Sequence, residues 1–288
     1  MPEAGGPAMR ARGRVYFWQG GSLWIGQGQG QTRRHGHHAH QITLPFTGVC
    51  RFRSDENGDW AGLAGAFVHS QRPHQFAMEE LAEVAQLFVE PETAEGRALA
   101  RRFPSADVSP LAEADRLALL ATLLGACRVG ASAAEMIAAG RAAVAALADA
   151  PASASGLDPR ILGSLDFIRA RVRDAVSLSD VAASAALSPG RFRHLFVRET
   201  GAAFRPYVLW LRLNVAIECA MRGGSWTEAA HEAGFADSAH LSRTFRRMFG
   251  MNPAGLVPLQ PRPVAPLRQA SRHGTGSAGP LAGGPLGG

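Results

Sequence analysis

The sequence predicts an α+β protein of two domains: an N-terminal β-barrel domain with helices after it, and an all-α C-terminal domain with two helix-turn-helix units. Three observations support this fold class. Short apolar runs broken by Gly, Pro, Asn and Asp fill the chain from Arg14 to about Val89, which is typical of strands joined by turns. Beyond Pro110, apolar residues recur every three or four positions, which indicates helices. Within this helical part, one pattern occurs twice.

The β region is expected to begin at Arg14, because residues 1–13 lack an apolar pattern and look disordered. Its predicted strands include residues 14–18, 22–25, 41–45 and 67–68. The tetrapeptide Glu56-Asn57-Gly58-Asp59 is a turn signal and predicts a hairpin. Many short strands with many glycines favour a sandwich or small barrel over residues 14–106.

Helices are predicted after this region. Residues 78–102 read as helical, with Pro91 as an interruption, and residues 110–127 and 131–148 form two further helical stretches in a segment spanning 107–150. The apolar residues that fall at helical spacings are Leu117, Leu120 and Leu124 in the first and Met136, Ala139, Val144 and Leu147 in the second. Residues 150–156, rich in Ala, Ser and Pro, read as a linker.

Histidines cluster in the β region, and a divalent metal or a small effector could bind there. The cluster comprises His35, His37, His38, His40 and, later in the chain, His74. Histidines at alternating positions near a strand can gather on one metal. No carboxylate follows in residues 41–47, so histidines without metal are favoured and no cofactor is expected. The aromatic residues that could line an effector pocket, or simply form core, are Trp18, Trp24, Phe46, Phe52 and Trp60.

The repeated pattern lies in residues 157–257. A cap residue, an apolar residue, Phe, basic residues and Gly occur in residues 188–201 and again in residues 237–250, at a constant offset of 49. Each copy follows a short Ala-rich helix, at residues 178–186 and 226–233. A short helix, a turn and a basic helix make a helix-turn-helix unit. A first helix is predicted at 158–172 and a long connecting helix at 204–222.

The outward faces of the two basic helices are the predicted double-stranded DNA contacts, because Arg gives paired donors to guanine edges and charge to phosphates. A solvated surface face is the competing interpretation for either helix alone. The predicted contact residues are Gly190, Arg191, Arg193, His194, Arg198, Ser238, Ala239, His240, Ser242, Arg243, Arg246 and Arg247. Arg212, on the connecting helix, is expected to bind phosphate or to hold helices together.

Residues from about 160 to 257 resemble the DNA-binding domain of AraC/XylS-type bacterial transcription regulators. The matching residues are Leu178, Val181, Ala182, Leu187, Ser188, Pro189, Phe192, Phe196, Glu199, Thr200 and Gly201 in the first unit, Tyr207, Leu211, Arg212 and Ala216 between the units, and Ala230, Gly234, Phe235, Asp237, Ser242, Arg243, Phe245, Phe249, Gly250 and Pro253 in the second. The sequence departs from the family pattern at Leu256-Val257, where an aromatic residue and Arg are usual, and at Gly190, where a DNA-reaching side chain is usual.

The resemblance implies an activator-type regulator of transcription with a cupin-like, effector-sensing N-terminal domain at 14–106. It also implies a homodimer contact through the helices of 107–150, for which packing on the barrel is the equal alternative, and RNA polymerase as a partner. The histidine cluster keeps a second function open: a cupin-type metal-binding sensor or metalloenzyme fused to a DNA-binding domain. No paired acid and base or nucleophile pattern is found, so the protein is not expected to be an enzyme.

Composition agrees with a DNA-binding protein of the cytoplasm. The chain has 288 residues, a net charge of +6 and no Lys, and residues 157–260 hold 13 Arg against 9 acidic residues. A basic excess there suits phosphate contact. Three scattered cysteines without metal spacing indicate a reducing compartment. Neither a signal peptide nor a membrane helix is predicted, and residues 258–288, rich in Pro and Gly, read as a disordered tail.

Overall fold

A computed structural model of the protein describes residues 6–55, 58–103, 108–128, 130–149 and 156–259. The described strands are β1 Arg10–Trp18, β2 Gly21–Gln31, β3 His40–Pro45, β4 Cys50–Arg53, β5 Ala61–Leu63, β6 Ala66–Val68, β7 Gln75–Val89, β8 Val108–Pro110 and β9 Leu256–Pro258. The described helices are α1 Ala94–Arg102, α2 Glu113–Arg128, α3 Ala133–Ala148, α4 Pro159–Ala170, α5 Leu178–Ser184, α6 Pro189–Thr200, α7 Phe204–Met221, α8 Trp226–Glu232 and α9 Ser238–Phe249. The predicted α+β fold class is confirmed.

The strands form one sheet, in the order β8-β6-β3-β7-β2-β1-β9, with β4 attached to β7 and β5 attached to β4. The long β7 pairs with β2 along one edge. Along its other edge it pairs with β4 in its first half and with β3 in its second half. Because β7 is paired along both edges, the sheet curls into a nearly closed barrel.

The prediction of a helix over residues 78–102 is wrong for its first half. Residues up to Val89 belong to strand β7, and the helix starts only at Ala94, where the Thr93 hydroxyl accepts a hydrogen bond from Gly96 N. The Ala-, Glu- and Leu-rich sequence favours a helix locally, but pairing with three strands overrides that weak preference. Both faces of the strand carry buried side chains, with Phe88 on one face and Leu87 on the other.

The first strand also starts earlier than expected. β1 begins at Arg10, inside the segment predicted to be disordered, and pairs with β2 from Arg10 opposite Gln29. Several predictions fall outside the described residues. These are Glu56 and Asn57 of the turn, residues 150–155 of the linker, and residues 1–5 and 260–288 at the two ends.

Helices α2 and α3 pack on the outside of the barrel. On α3, Met136, Val144 and Leu147 are buried. On α2, Leu119 and Leu123 are buried, while Leu117 is 52% exposed. The leucines of α2 occur on more than one side of the helix, so the sequence pattern alone does not choose the face that meets the barrel.

The C-terminal domain consists of α4 to α9 around its own apolar core. In both repeat units a side-chain oxygen caps the basic helix, from Ser188 for α6 and from Asp237 for α9. Both helices end at a glycine in the left-handed conformation, with φ of 71° at Gly201 and 67° at Gly250. These local signals explain why the repeat folds into two equivalent helices.

The two domains share a continuous interface. After α9, the chain forms a 3₁₀ turn at Pro253–Gly255 and then β9, which pairs in parallel with β1, Leu256 opposite Ala11. Phe88 of the barrel is buried in the same apolar cluster as Phe249 of α9. No helix in the described part of the chain combines the length and the apolar character needed to span a membrane.

Candidate nucleic-acid interface and buried histidine cluster

The basic helices α6 and α9 present most of the predicted DNA-contacting residues to solvent. The exposed residues on α6 are Gly190, Arg191, Arg193, His194 and Arg198. Those on α9 are Ala239, Arg243, Arg246 and Arg247, while Ser238, His240 and Ser242 are half-buried. Both faces are therefore available to a ligand in solution.

The arginines on these two helices differ in their hydrogen-bond and ion-pair partners. The Arg198 guanidinium binds Glu199, at 2.8 Å from Nη2 to Oε1, and Arg246 donates to Asn252 Oδ1 at 3.2 Å. Arg193 and Arg243 make no hydrogen bond or ion pair with the described residues, so their donors are available to a ligand. Arg212 donates to the carbonyl oxygens of Val172 and Asp174, which assigns it to holding helices together.

We call the two basic helices, α6 and α9, the reading helices. Aromatic and aliphatic side chains on the inner face of each one anchor it in the domain. Phe192 and Phe196 of α6 are fully buried, and so are Leu241 and Phe245 at the equivalent positions of α9. Between the two helices lies α7, an 18-residue helix that is about 27 Å long at 1.5 Å per residue. A spacer of that length suits two reading helices, or reading heads, placed about one turn of DNA apart, roughly 34 Å.

The five predicted histidines divide into two groups. One ring nitrogen from each of His35, His37 and His74 lies within 4.8 Å of the others, and all three rings are buried. His38 and His40 point elsewhere: His38 Nε2 lies 2.9 Å from Glu92 Oε2, and His40 Nδ1 accepts a hydrogen bond from Ser70 N at 3.0 Å.

An apolar cavity of about 90 Å³ opens next to the first group. His35 and Gln41 are among its polar lining residues, and Trp24, Phe88 and Phe249 are among the aromatic residues that line it. Of the five aromatic residues named from the sequence, Trp24 lines the cavity. Trp18 and Phe46 pack toward the outer helices, Phe52 stacks near Phe76, and Trp60 lies under Arg53.

Comparison with known proteins supports the interpretation of the two basic helices. Residues 181–257 match a family described as a helix-turn-helix domain. The uncharacterized HTH-type transcriptional regulator YidL of Escherichia coli (strain K12) is 33% identical over 91 residues, which is 31% of this chain and 31% of YidL. The transcriptional activator RhrA of Rhizobium meliloti (strain 1021) is 35% identical over 83 residues, 28% of this chain and 26% of RhrA. The C-terminal domain is an AraC-type helix-turn-helix domain.

These curated matches span between about a quarter and a third of the length of each relative. A likeness over both domains is found with ToxT of Vibrio cholerae O395, whose crystal structure superposes with a TM-score of 0.51 at 11% identity, covering 86% of this chain and 94% of ToxT. A second ToxT structure, bound to (E)-4-(8-methylnaphthalen-1-yl)but-3-enoic acid, gives a TM-score of 0.50 at 12% identity and covers 86% and 97%. At this identity the likeness shows a shared fold. The relatives are named as regulators, in agreement with the prediction that the protein is not an enzyme.

The departure of this AraC-type domain from its family pattern at Leu256-Val257 has a structural explanation. These residues form β9, and Val257 pairs with Arg12 of β1 at the edge of the barrel sheet. The following Leu259 donates its N–H to Gly13 O at 2.7 Å. At Gly190, the second departure, the first reading helix presents exposed backbone without a side chain, with open space around it.

A buried charge network between the barrel and the AraC-type domain was missed from the sequence. Arg169 of α4 binds Glu90, at 3.1 Å from Nη2 to Oε2, and lies 3.9 Å from Glu92. Trp210 of α7 donates to Glu90 Oε1 at 3.2 Å. The sequence signal for this network is a pair of acidic residues on either side of Pro91, directly after an apolar strand. Their cationic partner, Arg169, lies 79 residues after Glu90.

The network sets unusual protonation equilibria. Burial raises the pKa of Glu90, and the charge of Glu92 raises it further, against the lowering effect of Arg169. Burial also disfavours a charged His38, but the adjacent Glu92 carboxylate outweighs burial and raises the pKa of His38. The network therefore contains two buried carboxylates, Glu90 and Glu92, and one permanent cation, Arg169. His38 is a second group that can carry positive charge, when it is protonated.

Proposed function

We propose that the protein is a bacterial transcription regulator whose α6 and α9 read two successive major-groove segments of DNA. One observation carries the proposal: two equivalent helices, at an offset of 49 residues, present exposed guanidinium groups that no described residue occupies. A paired, outward arginine face on a helix anchored by buried Phe is what groove reading requires. A cytoplasmic location belongs to the same proposal.

Within this function we assign base reading to exposed and half-buried residues in the first half of each helix. In the first head these are Arg193 and His194, and in the second head they are Arg243 with Ser242 and His240. Phosphate binding is assigned to Arg198, Arg246 and Arg247, which lie toward the helix ends. Arg198 and Arg246 are partly engaged by neighbouring side chains.

The test is selection of bound DNA sequences by the full chain at a stated salt concentration, followed by affinity measurements on the selected site. Enrichment of two short elements about one helical turn apart is expected. Arg243→Ala should weaken binding to that site by about 1–3 kcal/mol and relax discrimination at one base pair. Arg101→Ala, which removes an exposed arginine from α1 of the barrel domain, is the charge-matched control. Equal affinity of the Arg243 and Arg101 variants would refute the assignment.

We also infer that the barrel binds a small, mostly apolar effector at the cavity. Its walls come from both domains, because Phe245, Phe249 and Leu256 complete the cavity that Trp24 and Phe88 begin. At about 90 Å³ the cavity is smaller than the roughly 300–1,000 Å³ of drug-sized ligand sites. An effector of that size would have to displace the end of α9, which would couple effector binding to the second reading head.

The acid bound in the ToxT structure combines an apolar ring system with one polar end, which is the chemistry that this cavity offers through Trp24 and His35. Thermal-shift screening of apolar carboxylic acids against the wild type and Trp24→Ala tests the inference. A stabilising compound whose effect survives Trp24→Ala unchanged would place the effector elsewhere.

Two partners complete the proposal. The apolar outer face of α2, with Leu117 52% exposed, supports a homodimer contact, which Leu117→Glu should break in a light-scattering measurement of molar mass. RNA polymerase is the partner expected of an activator, and transcription in vitro from the selected site tests it.

A further inference from the structure

Three buried histidines share an unusual hydrogen-bonding pattern. Each uses its Nδ1 atom on a backbone carbonyl oxygen two residues away: His35 on Arg33 at 2.8 Å, His37 on Ala39 at 2.8 Å, and His74 on Arg72 at 3.0 Å. A carbonyl oxygen only accepts, so Nδ1 must carry the proton in all three rings. In a neutral imidazole, Nε2 then carries a lone pair.

Burial keeps these rings neutral. Burial lowers the pKa of His35 well below its usual value, with His74 and His37 lowering it further, and it lowers the pKa of His74 to about 3. Burial likewise lowers the pKa of His37, against the opposing effect of its hydrogen bonds. All three rings are buried, and one ring nitrogen of each lies within 4.8 Å of the others.

Gln41 adds an oxygen to this set. Its Oε1 atom lies 2.9 Å from His37 Nε2 and 3.3 Å from His74 Nε2, while its amide nitrogen donates to Thr43 Oγ1 at 2.8 Å. In this orientation an acceptor oxygen faces two acceptor nitrogens, which repel unless a positive group lies between them. Reversing the amide would instead let its nitrogen donate to both rings, and this is the alternative that the experiment must separate.

We propose that His35, His37, His74 and Gln41 bind a divalent transition-metal ion of the Zn²⁺, Co²⁺ or Ni²⁺ type through their Nε2 and Oε1 atoms. Three imidazoles and one amide oxygen suit these ions better than Mg²⁺ or Ca²⁺, which prefer oxygen ligands. The backbone carbonyls that hold Nδ1–H supply the outer contacts that metal-bound histidines usually have.

The distances fit with a small adjustment. Tetrahedral ligands at about 2.0–2.1 Å from Zn²⁺ lie about 3.3 Å from one another. The contact of Gln41 Oε1 with His74 Nε2 already has this spacing, at 3.3 Å, and its contact with His37 Nε2 is shorter, at 2.9 Å. The histidine nitrogens lie within 4.8 Å of one another, so rotation of the imidazole rings would bring them into the coordination sphere.

The metal site borders the second reading helix. Arg33, whose carbonyl oxygen orients His35, donates its own N–H to Gly250 O at 2.7 Å, at the end of α9. The His37 ring lies 6.3 Å from that of Phe249 between centroids. A bound ion would hold His35 and His37 in place and so fix the surface on which α9 rests.

The experiment is titration of the chelator-treated, full-length protein with Zn²⁺ by calorimetry and with Co²⁺ by visible absorption. One ion per chain is expected, with no competition from Mg²⁺. His37→Ala and His74→Ala should each weaken binding by more than about 100-fold, beyond the 10- to 100-fold typical of losing an outer contact. His231→Ala, which removes an exposed histidine from α8, and His38→Ala, which removes a neighbour outside the set, should bind as the wild type does.

Gln41→Glu should bind Zn²⁺ at least as tightly as the wild type, because a carboxylate is a stronger ligand at the same position. If the alanine variants fail to fold, X-ray absorption of the Zn²⁺-loaded wild type counts the imidazole ligands directly, and three are expected. Absence of stoichiometric binding in the wild type, or a spectrum without imidazole ligands, would overturn the proposal. Neither measurement uses DNA, so the result is independent of the proposed transcriptional function.

Discussion

Gly250 and Gly201 occupy equivalent positions in the two repeat units but have very different surroundings. Both end a reading helix with positive φ, 67° at Gly250 and 71° at Gly201. A Cβ atom added to Gly250 would lie 2.3 Å from Arg33 O and 2.6 Å from His35 Nδ1, whereas one added to Gly201 would have nothing within 4 Å. Alanine at each position therefore separates the cost of the backbone conformation from the cost of contact with the barrel.

The expected magnitudes follow from these distances. Left-handed backbone costs an L-residue about 1–2 kcal/mol, so Gly201→Ala and Gly250→Ala should both lower the free energy of unfolding by about that amount. Gly250→Ala also meets a backbone oxygen about 1 Å inside normal contact, and overpacking of this kind costs about 1–3 kcal/mol. The additional loss at Gly250 cannot exceed the free energy of docking, because separation of α9 from the barrel would relieve the contact.

Urea unfolding of the wild type and both variants measures the prediction. The difference between the variants in transition midpoint, multiplied by the slope of free energy against urea concentration, gives the contact cost. Equal destabilisation by the two substitutions, within about 0.5 kcal/mol, would refute the reasoning and would mean that α9 does not rest on Arg33 in solution.

Two further substitutions or reagents test the buried groups. Arg169→Ala should lower the free energy of unfolding in urea by about 3 kcal/mol, because it leaves the buried carboxylate of Glu90 without its cation. Arg101→Ala, at an exposed arginine of α1, should stay within about 0.5 kcal/mol, and a loss that small at Arg169 would mean that the carboxylate is hydrated. Burial raises the pKa of Cys50 to about 12, and its side chain is fully buried, so a thiol reagent at pH 8 should label half-buried Cys127 before Cys50; labelling at equal rates would show that the barrel opens readily.

The C-terminal domain could be predicted because its signals are local. A cap residue, a buried Phe and a terminal glycine lie within one helix, and their recurrence after 49 residues excludes coincidence. The second role of Gly250 was not predictable, because its close neighbours lie in the barrel more than 200 residues earlier. The sequence contains the same residue type at Gly201, where nothing approaches it.

The barrel could be predicted only in outline. Residues 78–89 carry a helical composition and become strand through pairing with β2 and β3, which no local pattern records. The density of histidines in the sequence predicted that they cluster. It did not predict that they divide into two groups. Neighbours His37 and His38 point to opposite sides, so that one joins His74 and the other joins Glu92.

The docking of the domains bears on how the two heads are positioned. The barrel holds the end of α9 through Arg33, and it holds α7 through the bond from Trp210 to Glu90. Since α7 sets the separation of α6 from α9, both the spacing of the heads and the seat of the second head depend on the barrel. The first head, by contrast, ends at Gly201 in open space. We therefore expect a ligand at the cavity or the histidine cluster to act on the second head and on the spacing, and to leave the reading surface of α6 unchanged.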